Sequence, residues 1–220
     1  MKIHDVTQGS DEWLAARCGI LTASEMKLII TPTLKIAAND KQRAHLYELA
    51  AQRITRYVEP HYISDDMLRG MADEIEAREI YRQNYTDVDE VGFITDDRWG
   101  FTLGYSPDGL VGDDGLIEIK SRRQKYQAET IISGVMPDEY ALQVQTGLLI
   151  TRRKWLDFIS YCGGMPMFVL RVYPDEKIQG AIIEAAAKFE EQLKLAIDDY
   201  AMKSKDLIKT ERKTEQEMII

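Results

Sequence analysis

The sequence predicts an α/β protein in which a central mixed sheet is flanked by helices. Three observations carry this prediction. Helical spacing of apolar residues dominates up to about residue 85, and strand-like alternation begins after Asp87. A helix pair then separates the first strands from two later ones, and a long helix closes the chain. That order fits a mixed sheet between helices.

The elements follow in turn. Ser10 before Asp11 and Glu12 is a helix start, with acidic groups at the positive end of the dipole. This short helix carries Trp13, Leu14 and Arg17 and stops at Cys18-Gly19. Thr22-Ala23-Ser24-Glu25 starts a second helix, ended by Thr31-Pro32. A long helix is predicted from about 39 to 57, with Leu46, Leu49, Ala50 and Ile54 as its apolar stripe. Another begins near Ser64 and holds Leu68, Met71, Ile75 and Ile80. Strands are predicted near 88–94, 99–105, 109–111 and 116–119, the last two joined by the turn cluster Gly112-Asp113-Asp114-Gly115. Helices follow near 124–133 and after Pro137-Asp138, then strands near 155–161 and 167–172, then a helix from about 175 past Tyr200. The expected organisation is one unit, 1–220, with a helical N-terminal region over residues 1–85, a sheet core over 86–175, and a C-terminal helix and tail over 176–220.

With 220 residues, 45% hydrophobic and 30% charged, the chain can bury one full core and is not a disordered or low-complexity protein. No apolar run approaches the roughly 18–20 residues that span a bilayer, and the first residues lack the shape of a signal peptide. Cys18 and Cys162 make no disulfide framework, and His4, His45 and His61 lack ligand spacing. The expected compartment is a reducing cytoplasm. A net charge of −9 argues against coating DNA through a basic exterior, although basic residues confined to a small surface would still serve.

The chemistry concentrates in Ser106-Pro107-Asp108-Gly109 and Glu118-Ile119-Lys120. If the turn is centred on Asp113, Asp108 and Glu118 face each other across two antiparallel strands, and Lys120 lies on the same face as Glu118. Opposed carboxylates repel, so a sheet keeps such a pair when a cation sits between them. Hard Mg²⁺, which prefers carboxylate oxygens and water, does this well, and an open coordination position would activate water against a phosphodiester. A Glu-x-Lys triplet alone is ordinary, and an exposed pair contributes under about 1 kcal/mol. The combination, at this spacing and flanked by apolar residues, is what points to a metal.

Ser-Pro-Asp-Gly followed by Glu-Ile-Lys resembles the PD-(D/E)xK nuclease superfamily. Further segments narrow the match. Gln8-Gly9-Ser10-Asp11-Glu12-Trp13 with Arg17, Leu21-Thr22-Ala23-Ser24-Glu25, Gly70 with Glu74, Ala77 and Arg78, and the helix from Tyr140 to Gln145 resemble, in order, the lambda exonuclease (YqaJ viral recombinase) family of phage-type alkaline exonucleases. The resemblance implies a restriction-endonuclease-like core with a central mixed five-stranded sheet. It implies a ring-shaped homotrimer that digests one strand of linear duplex DNA from its 5′ end, with Mg²⁺ or substituting Mn²⁺. Mononucleotides would be released, and a 3′ overhang left for a phage single-strand annealing protein. Asp108 and Glu118 match the metal ligands, with the Ile119 carbonyl as a third. Lys120 matches the residue that orients or activates water, Glu74 a further acid, and Gln143 a supporting group. Arg17, Thr22, Ser24 and Ser106 match the pocket for the 5′-phosphate.

Elementary chemistry agrees with these roles. Arg17 offers a forked charge for a phosphate, and Thr22 and Ser24 sit at a predicted helix start, where free N–H groups attract anions or a hydroxyl simply caps the helix. The charge run from Glu74 to Glu79 reads as a wet helix face apart from Glu74, and Trp13, Trp99 and Trp155 read as core residues. Lys35, Arg43, Arg122, Arg123 and Lys125 are candidate DNA contacts. Ser121-Arg122 replaces the Cys-Pro common in the family, and Arg69 replaces an aromatic residue. A dimeric endonuclease on the same core, or a binding module with a purely structural cation, would share the hairpin.

Overall fold

The computed structural model describes residues 1–60 and 64–212. Among these, eight strands form two four-stranded sheets with helices packed around them. The mixed α/β class predicted from the sequence is the class observed, but the strands divide four and four rather than gathering five in one sheet.

The helix starts follow their capping residues. Ser10 Oγ accepts from the Trp13 N–H at 3.2 Å and opens α1 (Asp11–Arg17). After the short α2 (Met26–Ile29), Asn39 caps α3 (Asp40–Thr55) and Ser64 caps α4 (Asp65–Asn84). On α3, Leu49 and Ala50 are buried, and Leu46 packs against the same core. Of the apolar residues on α4, Ile80 packs against the second apolar cluster, but Leu68, Met71 and Ile75 are each more than half exposed. Its inner face is instead Ala77, Arg78 and Tyr81. Polar partners decide this rotation. The Tyr81 hydroxyl donates to Asp157 at 2.6 Å, and Arg78 reaches Glu74, Glu90 and the Asp108 carbonyl. Apolar periodicity does not register such anchors.

The first sheet runs in the order β1 (Lys2–His4), β3 (Phe93–Asp96), β4 (Leu103–Tyr105) and β2 (Leu21–Thr22). β2 lies parallel to β4, and the other pairs are antiparallel. The sequence pattern does not reveal β1 and β2, because each is too short to alternate. The second sheet is β5 (Gly109–Val111), β6 (Gly115–Ser121), β7 (Trp155–Tyr161) and β8 (Phe168–Val172), in that order. β6 and β7 are parallel. A parallel pair needs a long crossover, and α5 (Gln124–Ser133) and α6 (Ala141–Thr151) provide it. α7 (Glu176–Lys203) covers α3 and α6, burying Ile182, Ala186, Phe189 and Leu193.

Ser106-Pro107-Asp108 is the corner where the chain leaves β4 of the first sheet and enters β5 of the second. Gln8 Nε2 donates to the Pro107 carbonyl at 2.9 Å and pins it. Trp99 and Trp155 pack at the margins of the two apolar clusters, as expected. Trp13 does not; it lines a cleft described below. Cys18 and Cys162 are free thiols, and no helix among the described residues is long and apolar enough to cross a membrane. His61 and the predicted tail from 213 onward lie outside the described residues.

Candidate active site

The hairpin register pairs Gly109 with Ile117, Leu110 with Leu116 and Val111 with Gly115. One step further out, Asp108 falls opposite Glu118, as the turn arithmetic predicts. β5 begins only at Gly109, so the Ile119 N–H has no strand partner on that side. Asp108 Oδ2 accepts it at 2.5 Å. In a strand the N–H and C=O of one residue point to the same side, so the Ile119 carbonyl faces the side where Asp108 lies.

Glu118 is 1% exposed and held on both oxygens. Oε1 accepts from Lys120 Nζ at 2.6 Å and from the Gln143 amide of α6. Oε2 accepts from the Tyr105 hydroxyl at 2.7 Å. Lys120 Nζ also lies 5.5 Å from the centre of the Tyr140 ring. Glu74 comes from α4 and pairs with Arg78, whose Nε donates to the Asp108 carbonyl at 2.8 Å. Arg78 is buried, so the charge run on α4 is not wet at this position. Tyr105 is the residue of this cluster that sequence reasoning missed, and Arg78 was matched to the family without a role at the site. Beyond that match, a Glu-Arg pair at i,i+4 was the local signal for Arg78 and an aromatic residue beside Ser106 the one for Tyr105, and both are common.

Asp108, Glu118 and Glu74 share this space, and the crowding raises the pKa of Asp108 and Glu74. Burial first, then Glu118 and Glu74, push the Asp108 carboxyl well above the usual range; Lys120 and the Ile119 N–H offset this only partially. Burial also raises Glu74, against the pull of Arg78. For Lys120, burial works to lower the pKa, but Glu118 and Asp108 outweigh it, and the ammonium is held charged. Burial, then Glu118 and Asp108, raise Tyr105, so its hydroxyl keeps its proton.

Replacing Asp108 with Asn keeps an acceptor for the Ile119 N–H and removes the charge. Because the folded-state pKa lies above that of the unfolded chain, the cost of the ionised acid is absent at low pH and grows as pH rises past 3.8. Asp108→Asn is therefore expected to melt higher than wild type in metal-free buffer near neutral pH, and the gain should vanish in acid. Each 1 kcal/mol relieved corresponds to about 2–4 °C in a protein of this size. Equal melting temperatures at neutral pH would show that the acid is not strained.

This donor set fits a hard divalent cation. Asp108, Glu118 and the Ile119 carbonyl are all oxygen donors on one side of the hairpin, and a dication there would relieve the repulsion that raises Asp108. No three acidic, imidazole or thiol side chains converge as a metal cage among the described residues. Two carboxylates and a carbonyl would leave several positions to water, which suits magnesium.

Beside the hairpin is a cleft of about 180 Å³ whose lining includes Arg17, Thr22, Ser24, Ser106, Trp13 and Gln143. All four residues matched to a phosphate pocket thus meet in one place, and Gln143 belongs both to the cleft and to the carboxylate cluster. Arg17 lies 4.3 Å from the Trp13 ring centre and donates to Ser106 Oγ at 3.3 Å and Thr22 Oγ1 at 3.4 Å. Trp13 Nε1 donates to the same Ser106 oxygen at 2.9 Å. Burial lowers the Arg17 pKa, against Glu25, yet the guanidinium hydrogen-bonds only neutral hydroxyls among the described residues. The expected helix start at Thr22 is a capped 3-10 turn, Ala23–Glu25, that runs directly into the short α2. Glu25 Oε2 accepts both the Thr22 N–H at 2.8 Å and its hydroxyl at 2.7 Å, so the turn's own carboxylate occupies those donors. Positive charge in the cleft therefore comes from Arg17 rather than from a helix end.

The candidate DNA contacts are less uniform. Arg43 pairs with Asp40 and Arg123 with Asp66. Arg122 pairs with Glu139 and lies between the rings of Tyr126 and Tyr140, so it is not a solvated surface charge. A larger depression of about 350 Å³, beside Arg53 and Glu190, is lined by none of the site residues.

Comparison with known proteins places this geometry. Residues 12–154 match the model of the YqaJ-like viral recombinase domain. An alkaline exonuclease from Laribacter hongkongensis (LHK-Exo) is 34% identical, with a TM-score of 0.80 over 90% of this chain and 100% of that one. The same protein in complex with dAMP gives a TM-score of 0.79 at 34% identity, over 90% and 100% of the two chains. A phage-related exonuclease from Haemophilus somnus 129PT, at 13% identity, shares the fold, with a TM-score of 0.58 over 81% of this chain and 96% of that one. No curated protein sequence matches significantly. The matched segment runs from α1 to the residue before β7 and encloses the Asp108, Glu118, Lys120 and Gln143 cluster with its neighbouring cleft, and the chain belongs to the YqaJ-like viral recombinase family.

Proposed function

We propose that this protein is a nuclease acting on DNA: a Mg²⁺-dependent 5′-to-3′ exonuclease that processively digests one strand of a linear duplex. It releases 5′-mononucleotides and leaves a 3′ overhang for recombination by strand annealing. The family and the alkaline exonuclease at 34% identity support a nuclease on DNA. One observation carries the end-directed reading: a guanidinium that, among the described residues, hydrogen-bonds only neutral hydroxyls lines a cleft that shares Gln143 with the hairpin carboxylates.

The chain's own groups divide the work. Arg17 holds a terminal phosphate by its fork. Ser106 Oγ already accepts from Trp13 and Arg17, so its own O–H is left to donate to that phosphate. Asp108, Glu118 and the Ile119 carbonyl would hold Mg²⁺, which when bound supplies Lewis acidity towards the phosphodiester and a more acidic water. Lys120, fixed by Glu118, orients the attacking water and faces the charge that develops on the phosphoryl oxygens. Gln143 keeps Glu118 in place. Water oxygen bonds to phosphorus, the bond to the 3′ oxygen breaks, and that oxygen leaves as a hydroxyl. The next nucleotide is left with a 5′-phosphate, so each product end is again a substrate.

A homotrimeric ring held on DNA by topology would explain an acidic protein acting on nucleic acid, with a phage annealing protein as partner and the host cytoplasm as its setting. The test is a set of labelled duplexes in Mg²⁺: linear with a 5′-phosphate, linear with a 5′-hydroxyl, and closed circular. Mononucleotides are expected from linear DNA, fastest from the phosphorylated end. Attack on closed circles, with a solution mass of a dimer rather than three times 25.2 kDa, would replace this reading by an endonuclease.

A further inference from the structure

We propose that Tyr105 is a positioning residue that couples the anion cleft to the hydrolytic carboxylate through the single hydrogen bond from its hydroxyl to Glu118 Oε2. The inference rests on the nuclease reading above. Tyr105 ends β4, immediately before Ser106, and is 1% exposed. Its ring forms part of the cleft wall, and its hydroxyl reaches Glu118 at 2.7 Å.

The ring has no room to swing. α6 carries Gly147 opposite it, where a Cβ would lie 2.7 Å from Tyr105 Cζ. The helix gives up a side chain at that point, and the tyrosine fills the space. The hydroxyl is therefore aimed by packing as well as by its acceptor.

Counting lone pairs shows what the contact does. Each carboxylate oxygen offers about two acceptor sites. On Glu118, Oε1 is filled by Lys120 and Gln143. Oε2 receives only Tyr105 among the described residues, so the tyrosine determines where the remaining acceptor site points. A neutral donor does this without cancelling the charge that a cation needs. An ammonium in its place would compete with the metal.

The test is Tyr105→Phe, which keeps the ring, the packing on Gly147 and the cleft wall. The kcat on phosphorylated linear duplex is expected to fall roughly 10- to 100-fold, the range for groups that orient metal ligands, with KM for DNA within about twofold of wild type. Mg²⁺ affinity, measured by calorimetry without DNA, is expected to weaken by a similar factor. Wild-type kcat with wild-type Mg²⁺ affinity in the variant would overturn the proposal. So would a raised KM with unchanged kcat, which would reduce the ring to a wall. A wild-type protein that binds Mg²⁺ but releases no nucleotide would defeat the nuclease reading instead, and the Mg²⁺ isotherm of the variant would still decide the role of Tyr105.

Discussion

Glu118→Gln is expected to reduce nucleotide release by at least about a thousandfold while duplex binding in EDTA stays within a few-fold of wild type. The reason is the donor count. Three groups, Tyr105, Lys120 and Gln143, all donate to this carboxylate. A glutamine has one acceptor oxygen, and its amide would turn N–H groups towards at least one of those donors. Lys120 would lose the charge that holds it in place, and the metal would lose one of two carboxylates. Arg17 and Ser106 are untouched, which is why binding should survive. Steady-state rates on linear duplex, beside a gel-shift titration in EDTA, check both halves. A variant that cuts at the wild-type rate would remove Glu118 from the chemistry.

Arg17→Ala is expected to erase the distinction between phosphorylated and hydroxyl ends. A charge-assisted hydrogen bond contributes about 1.5–3 kcal/mol, so kcat/KM on a 5′-phosphorylated duplex should fall roughly 10- to 150-fold. On a 5′-hydroxyl duplex it should barely move. Arg17→Lys should recover only a fraction of the loss, because an ammonium cannot reproduce the fork to Ser106 and Thr22. The ratio of the two substrates is the informative quantity: if Arg17→Ala kept the wild-type preference, the cleft would not be the place where the end is read.

The legible and illegible features of the molecule differ in physical kind. Ser10, Asn39 and Ser64 cap their helices, because a cap is a local hydrogen bond between residues close in sequence. The register that sets Asp108 against Glu118 is equally local, since a short turn and period-two alternation determine it. The orientation of α4 is not local. It depends on Asp157 for Tyr81 and on Glu90 and the Asp108 carbonyl for Arg78. A stripe of Leu68, Met71 and Ile75 gives no hint of those distant partners. Tyr105 was hidden for the same reason: its role exists only once β4, β6 and α6 meet. Arg17, Thr22, Ser24 and Ser106, which meet in the cleft, had a local signature too weak to interpret unaided, and only the family resemblance singled them out.

The corner at Ser106-Pro107-Asp108 has a mechanical consequence. Ser106 belongs to the cleft and Asp108 to the hairpin, and two residues of chain span at most about 7 Å. On the proposed reading, one wall of the gauge and one ligand of the blade thus share a short piece of backbone, held by Gln8 at the Pro107 carbonyl. The spacing of those two groups is set by covalent bonds rather than by a hinge. Lengthening the tripeptide would therefore alter the size of the piece removed, whereas loosening a side chain alters only how often one is removed.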